Sequence, residues 1–474
     1  QPLLPLLVVG TSVAVAAVPE GLPLLASMGE AAVARRLGKR QALVRRLGAV
    51  EALGRVDVAC TDKTGTLTEG KLTLTHVADL DREARIDQGG ARKLPPELRN
   101  VLLAAALASP HPEAPDANVQ STDAAVVAGA QAAGLREDLN AERTAELPFD
   151  PVRAFHVTHV GERAYVKGAP EVLLPRCRFV RQAGMDTVLD EVSCLALQDR
   201  AEGLAERGLR VLMITEGSSG DGLVEDPRGL VALGFVGISD PLRPGVSVAV
   251  ERCHAAGIRV IMLTGDSATT ARAIAAEANI LTLDGEVLTG SDIAELHNSD
   301  LLRRLEKAVV VARVTPLDKL RIVESLQGGG HTVAMTGDGV NDAPALRLAD
   351  VGVAMGRGGT EVARQAADMV LADDDFSTLV EALVEGRSFW RNIRRALGLL
   401  LGGNLGELGL FVGASVLGLG APLVARQILA VNMITDALPA LSVVLQKPEN
   451  PDLSALAREG ESALDRPLRN DVLR

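Results

Sequence analysis

Aromatic side chains make up only 2% of the 474 residues, with one Trp, one Tyr and seven Phe. Lysine plus arginine (49) fall short of aspartate plus glutamate (61), for a formal charge of −12. A nucleic-acid partner is therefore excluded, because it would need a clustered basic face for phosphates and aromatic platforms for bases. The four cysteines, Cys60, Cys177, Cys194 and Cys253, lie far apart without a CxxC pair, which signals neither a zinc site nor a disulfide scaffold and reads as reduced thiols. No GxxxxGK[ST] string occurs, so a Walker-type phosphate cradle is excluded. The apolar start of the chain lacks the basic onset and cleavage pattern of a signal peptide. No internal repeat or long low-complexity tract is present.

Apolar residues, by contrast, are abundant at 47%, and they gather in long runs. The first stretch, PLLPLLVVGTSVAVAAVPEGLPLLASMG, carries one acid, Glu20, and is long enough to span a bilayer of ~30 Å as a helix of roughly 20 residues. Near the other end, ALGLLLGGNLGELGLFVGASVLGLG and APLVARQILAVNMITDALPALSVVL read as a helical hairpin in the membrane, broken at Gly420, Ala421 and Pro422. Arg35, Arg36, Lys39, Arg40, Arg45 and Arg46 follow the first span, and Arg391, Arg394 and Arg395 precede the second. The excess of basic residues on these flanks places everything between them in the cytoplasm. Three spans leave residue 1 on the outer side with no preceding helix to deliver it, so the chain reads as an excerpt of a longer multi-pass protein, expected in the plasma membrane.

Between the membrane parts, VDVACTD, LRVLMITE, GIRVIMLTGD, AVVVARVTP and HTVAMTGDG each read as a buried strand ending at a turn. Strands whose carboxyl ends carry Asp, Thr and Gly match an open α/β sheet, which collects ligands at that edge. Residues 69–238 differ in texture, with acidic and Pro-rich loops such as SPHPEAPDANVQSTD, and read as a second domain inserted into the first. The expected organisation is a transmembrane helix (1–29), a stalk (30–48), a discontinuous α/β domain (49–68 and 239–385) holding the inserted α+β domain (69–238), a transmembrane hairpin (386–446) and a tail (447–474).

The run Cys60-Thr61-Asp62-Lys63-Thr64-Gly65-Thr66-Leu67-Thr68 sets a carboxylate just after an apolar strand, where the following turn can aim backbone N–H groups at a phosphoryl group. Asp62 is thus the candidate nucleophile. Thr336-Gly337-Asp338-Gly339-Val340-Asn341-Asp342-Ala343-Pro344 ends another apolar strand with two carboxylates four residues apart. Together with Asp62 they can hold Mg2+, a hard ion that favours a few carboxylates plus water. Thr264-Gly265-Asp266 and Lys319 offer a hydroxyl, an amide and a cation to the charge on a transferring phosphoryl group. Any one Asp-Gly or Thr-Gly pair is most simply a turn; DKTGTLT, TGD and TGDGVNDAP in one chain and in this order are not. Phosphatases of the haloacid dehalogenase type carry a second Asp two positions after the nucleophile. Here Thr64 stands there, so an acyl-phosphate should persist.

These strings resemble the signatures of P-type ATPases, over essentially the whole chain. The resemblance implies that Asp62 is phosphorylated from ATP, with Lys63 beside it, and that Asp338 and the Thr64 carbonyl bind Mg2+. It implies further that Thr264, with Gly265 and Asp266, and Lys319 contact the phosphate, and that Asn341 and Asp342 complete the site. Asp240-Pro241-Leu242-Arg243 looks like the family's hinge. The inserted domain should bind nucleotide: Lys167-Gly168-Ala169-Pro170-Glu171 resembles the adenosine-pocket motif, Phe149 falls where an aromatic ring stacks on adenine, and Arg210 where an arginine reaches the phosphates, with Arg243 counted among the same contacts. Ser121-Thr122-Asp123-Ala124 stands where an acidic motif is expected and departs from it, so Asp123 is not counted. The family's actuator domain, with its TGE loop, is absent from the sequence.

The first span is interrupted by Pro19-Glu20-Gly21-Leu22-Pro23, freeing backbone carbonyls that a cation can satisfy. Asn404 and Glu407 lie three residues apart in the second span, and Asn432, Thr435 and Asp436 at spacings of three and four in the third, so each set shares a helix face. Asn and Thr suit interhelical hydrogen bonds, but carboxylates in lipid mark a functional site. With the carbonyls of Val15, Ala16 and Val18 these groups form an all-oxygen donor set, which favours a hard cation over Cu+ or Zn2+. PEGLP, NLGE and NMITD together are similar to type II calcium pumps, which implies Ca2+ as cargo, with Mn2+, Na+ or K+ as alternatives. A membrane-anchored phosphohydrolase and a pseudo-pump that only binds ions are the rival readings.

Overall fold

The computed structural model describes residues 21–86, 94–111, 121–136, 138–150, 152–218, 226–419, 423–449, 452–454 and 456. The chain divides into two compact units, Gln1–Leu67 with Arg243–Gly265 and Glu277–Arg474, and Thr68–Leu242 with Asp266–Ala276.

The first unit is built on an eight-stranded sheet: β1 (Ala42–Val44), β2 (Val58–Asp62), β3 (Arg259–Leu263), β4 (Glu286–Thr289), β5 (Ala308–Ala312), β6 (Val333–Gly337), β7 (Val351–Met355) and β8 (Met369–Leu371). Their order across the sheet is β1-β8-β7-β6-β2-β3-β5-β4. Every pair is parallel except β1 with β8. Strands buried on both faces need no polar alternation, which explains why β2, β5, β6 and β7 are buried at every position. Val58, Cys60, Ile261, Leu263, Val311 and Met335 share one core with the flanking helices. The chain leaves β2 toward β3 on one side and returns to β6 on the other, so the carboxyl end of β2 lies at the switch point where open α/β sheets bind ligands.

The helical segments of this unit include α1 (Leu22–Lys39), α2 (Pro316–Gly328), α3 (Phe376–Val416), α4 (Ala425–Asn432) and α5 (Leu438–Val444). A π-helical turn, Met433–Ala437, joins α4 to α5. Two stretches, Phe376–Ala414 and Arg426–Val444, are long and apolar enough to cross a membrane. α3 starts before the expected hairpin, because its first turns run along the sheet unit before the apolar stretch begins. They carry the buried residues Phe376, Leu379, Val380 and Leu383. Glu385 on α3 is fully buried and receives Arg36 of α1, whose Nε donates to Glu385 Oε2 at 2.9 Å.

The second unit holds an antiparallel sheet in the order 83–85, 73–78, 230–239, 210–218, 163–168, 155–160 and 145–147, with the hairpin 177–182 and 185–188 branching from 230–239. Helices Pro96–Leu107 and Ser121–Ala132 cover one face through Leu98, Leu102 and Val126, in one core with Leu74 of strand 73–78. Leu197 and Leu204 of helix Glu191–Glu206 join the core of the other face with Phe155, Val157 and Met213. LRVLMITE, which falls within the expected inserted domain (69–238), lies in this sheet as Arg210–Ser218, antiparallel to both its neighbours. A strand buried on both faces has the same apolar run whether its neighbours are parallel or antiparallel, so the run alone does not assign it to a sheet.

Candidate functional site

β2 delivers Asp62 to the carboxyl edge of the sheet, and a tight turn over Lys63–Leu67 follows. Gly65 takes φ +70, and a Cβ there would collide with the Asp338 carboxylate; only glycine meets both demands. Asp338 and Asp342 arrive from the loop after β6, where Gly339 N–H donates to Asp342 Oδ2 at 3.1 Å. Lys319 comes from the first turn of α2. Pro316 and a capping box between Thr315 and Asp318 fix where that helix starts, and so fix the direction of the lysine. Its Nζ donates to Asp62 Oδ1 and Asp342 Oδ1, both at 2.6 Å.

Asp62, Asp338 and Asp342 offer carboxylate oxygens within 4.8 Å of one another, the one such acidic, His or Cys group among the described residues. Three carboxylates against one ammonium leave the cluster two positive charges short. Burial pushes the Asp62 carboxyl up to about 6, with Lys319 opposing and Asp342 adding to the rise. Asp338 is likewise held at about 6 by burial and by Asp342. Burial alone would lower Lys319, but Asp62 and Asp342 outweigh it and raise it, so the lysine stays charged. A hard divalent cation fits this site: the donors are all oxygen, and three carboxylates face one ammonium.

Thr264 follows β3, whose Leu263 lies in register with Asp62, and it is buried. Gly265 is exposed, and Asp266 is counted with the second unit. Lys63 is buried, whereas Thr64 and Asn341 are exposed. Arg243, expected with the nucleotide contacts, lies in the first unit and supports the turn after Asp62, donating from Nη2 to the Gly65 carbonyl at 2.9 Å.

The remaining expected nucleotide residues all lie in the second unit. Lys167 and Gly168 end strand 163–168, and Gly168 is locked because a Cβ would come within 2.6 Å of Phe155 Cβ. Phe149 is half-buried in the loop before strand 155–160, and Arg210 is exposed at the start of its strand. Lys167 is buried, paired with Asp123 Oδ1 at 2.5 Å and bonded to Ser109 Oγ. Asp123, set aside in the sequence reading, and Ser109 are thus tied to Lys167. The one signal for them is the shortened string around Asp123, which keeps the acid but loses its motif.

Val15, Ala16, Val18 and Glu20 lie outside the described residues. Gly21 packs against α4–α5 at the π-helical turn, an added Cβ lying 3.6 Å from Ala437 Cβ. Asn404 and Glu407 on α3 meet that same region. Asn432 Nδ2 lies 3.4 Å from Glu407 Oε2, and a Cβ at Gly403, beside Asn404, would sit 2.9 Å from Asp436 Oδ2. Thr435 donates to Asp436 Oδ1 at 2.8 Å. Asn404 is buried with its Nδ2 unpartnered. The π-helical turn holds Thr435 and Asp436, a distortion of the kind found at functional sites.

A haloacid dehalogenase-like hydrolase profile matches residues 56–350, and a second of the same description matches residues 320–383. The chain is 40% identical over 457 residues to calcium-transporting ATPase 1 of Bacillus cereus, covering 93% of this chain and 51% of that protein. It is 37% identical over 495 residues to the cation-transporting ATPase pma1 of Synechocystis, covering 93% and 54%. The chain thus spans about half the length of these curated relatives. Among solved structures, a zinc-transporting PIB-type ATPase in its E2.Pi state shares the fold with a TM-score of 0.62, at 23% identity over 90% of this chain and 56% of that one. By the match to most of its length, and in keeping with the cluster at Asp62, the chain belongs to the haloacid dehalogenase-like hydrolase family.

Proposed function

We propose that this chain carries the phosphorylation site, the nucleotide site and part of the ion path of a P-type ATPase that moves a cation, most readily Ca2+, across a membrane. The observation that carries this reading is the cluster at the carboxyl edge of β2, with Asp62 held between Lys319 and two further carboxylates. An Asp62 carboxylate oxygen attacks the γ-phosphorus of ATP, the bond to the β-phosphate oxygen breaks, and ADP leaves with that oxygen and its electron pair. Lys319 holds the attacking carboxylate in place and offsets charge on the transferring group, and Thr264 supplies a hydroxyl beside it. Asp62, Asp338, Asp342 and the Thr64 carbonyl would hold Mg2+, which when bound draws charge from the phosphate oxygens. Thr64 cannot act as a general acid or base, so the acyl-phosphate outlasts its formation, as a pump requires before water cleaves it.

The second unit would present ATP, with Phe149 stacking on the base, Lys167 and Gly168 lining its pocket, and Arg210 reaching the phosphates. Glu407, Asn432, Thr435, Asp436 and Asn404, with Glu20 and the carbonyls of Val15, Ala16 and Val18, would bind the cargo. Oxygen donors alone favour a hard cation, and the calcium-transporting relative supports Ca2+ among the hard ions. Uptake of radiolabelled Ca2+ into vesicles holding the intact protein, driven by ATP and competed by Mn2+, Na+ or K+, tests the cargo. Uptake of Ca2+ that the other ions do not displace is the expected result; ATP-driven uptake of another ion alone would replace calcium.

A further inference from the structure

β2 and β6 lie side by side in register, so that Thr61 faces Thr336, each one position before a residue of the acidic edge or its loop. Both side chains are fully buried. Thr336 Oγ1 donates to Thr61 Oγ1 at 2.8 Å, and the Thr61 hydroxyl is thereby left to donate onward, to the Asp62 backbone carbonyl at 3.0 Å. That carbonyl belongs to the peptide joining Asp62 to Lys63, the hinge between a regular strand and a turn that reverses at Thr64 (ψ 133) and Gly65 (φ 70). On the other neighbouring strand, the Thr264 N–H just past the register partner of Asp62 is spent on the Val311 carbonyl at 3.0 Å. The last peptide of β2 is therefore gripped from the β6 side by a two-hydroxyl relay.

We propose that Thr336 and Thr61 are positioning residues for phosphoryl transfer. Their hydroxyl relay fixes the plane of the Asp62–Lys63 peptide and, through it, the direction of the attacking carboxylate. The proposal rests on the reading of Asp62 as nucleophile. A near-attack geometry tolerates little misplacement, and a small rotation of this peptide would carry the carboxylate off line. Neither threonine touches the reacting atoms, and neither is needed for the fold in the way a buried charge is. Replacing both partners of a buried hydrogen bond by apolar groups of the same shape is close to neutral for stability, whereas replacing one leaves the other unsatisfied. Valine has the shape of threonine, so the pair can be removed without a cavity.

The test compares Thr336→Val, Thr61→Val, the double valine variant and Thr336→Ser in the intact membrane protein. It reads the rate of acid-stable phosphoenzyme formation at saturating ATP, the half-saturating ATP concentration and the thermal unfolding midpoint. A structural role predicts that stability and rate fall together in the single variants and recover together in the double. The relay predicts a split: the double variant, in which only the Asp62 carbonyl is left without its hydroxyl donor, recovers part of the unfolding midpoint lost in Thr61→Val, keeps its ATP half-saturation, and recovers none of the rate, forming phosphoenzyme about tenfold more slowly, the rate equivalent of one hydrogen bond's net worth. Thr336→Ser, which keeps the hydroxyl, should run at the wild-type rate. A double variant as fast as the wild type overturns the relay alone, while a wild type that forms no phosphoenzyme overturns the Asp62 reading and the relay with it.

Discussion

The two acidic clusters of the first unit are built on opposite plans. At the sheet edge, Asp62 and Asp342 each hold Lys319 at 2.6 Å, and the loops that carry the carboxylates are tied down by backbone donors and by glycines that admit no side chain. Around α3 and the π-helical turn, Glu407 and Asp436 have only neutral partners, Asn432 and Thr435, and no Lys or Arg reaches them among the described residues. A site that must align one carboxylate for attack benefits from a resident cation that keeps it ionised and oriented. A site that must accept and release a cation cannot contain one of its own. The contrast is the one that the proposed division into a chemical site and a transit site requires.

The largest effect should come from breaking the resident ion pair. Lys319→Ala leaves two buried carboxylates uncompensated, which costs on the order of 3–5 kcal/mol of stability. It should slow phosphoenzyme formation by about 100-fold or more, with calorimetry and radiolabelling as the respective measurements; a fast Lys319→Ala enzyme would remove the lysine from the chemistry. At the transit site, Glu407→Gln and Asp436→Asn should abolish ion stimulation of ATP hydrolysis and leave nucleotide binding intact. Ion dependence that survives both changes would move the cargo site elsewhere.

Gly65→Ala places a methyl group against the Asp338 carboxylate at a φ that disfavours it. It should raise the Mg2+ concentration needed for half-maximal phosphorylation by about tenfold, since strain and collision together cost a few kcal/mol at most before the loop shifts. The smallest effect is on pH. Asp62 and Asp338 sit at about 6 in the fold, above their usual 3.8. A carboxyl raised on folding contributes stability that is complete below its free-chain value and lost as pH climbs through the folded one. The metal-free protein should therefore lose stability between pH ~4 and ~6, and Mg2+ should cancel the loss. Melting curves with chelator and with Mg2+ across that range measure it; identical curves would show that the cluster holds no divalent ion.

Much of the chemical site is legible in the chain, because a carboxylate after a short, fully apolar run almost dictates a strand ending at a ligand-binding edge. Asp62 and Asp338 are such cases. Lys319 is named there by its likeness to the family, but its direct pairing with Asp62, 257 residues earlier, has no local mark. The pairing of Asp123 with Lys167 is hidden for the same reason, compounded by an altered motif. The antiparallel pairing of Arg210–Ser218 is not legible, because apolar runs carry no information about strand direction. The start of α3 is masked by amphipathic turns that bury their apolar face on the protein rather than in lipid. The π-helical turn at Thr435 and Asp436 has no sequence signature at all, since an inserted residue changes the period only locally.

The contrast between the clusters turns on Asp62 being the covalent centre, and phosphoenzyme formation from radiolabelled ATP tests that most directly. The intact protein should yield an acid-stable, ion-stimulated label that Asp62→Asn abolishes. A label that persists in Asp62→Asn, or no label in the wild type with any cation, would contradict the account.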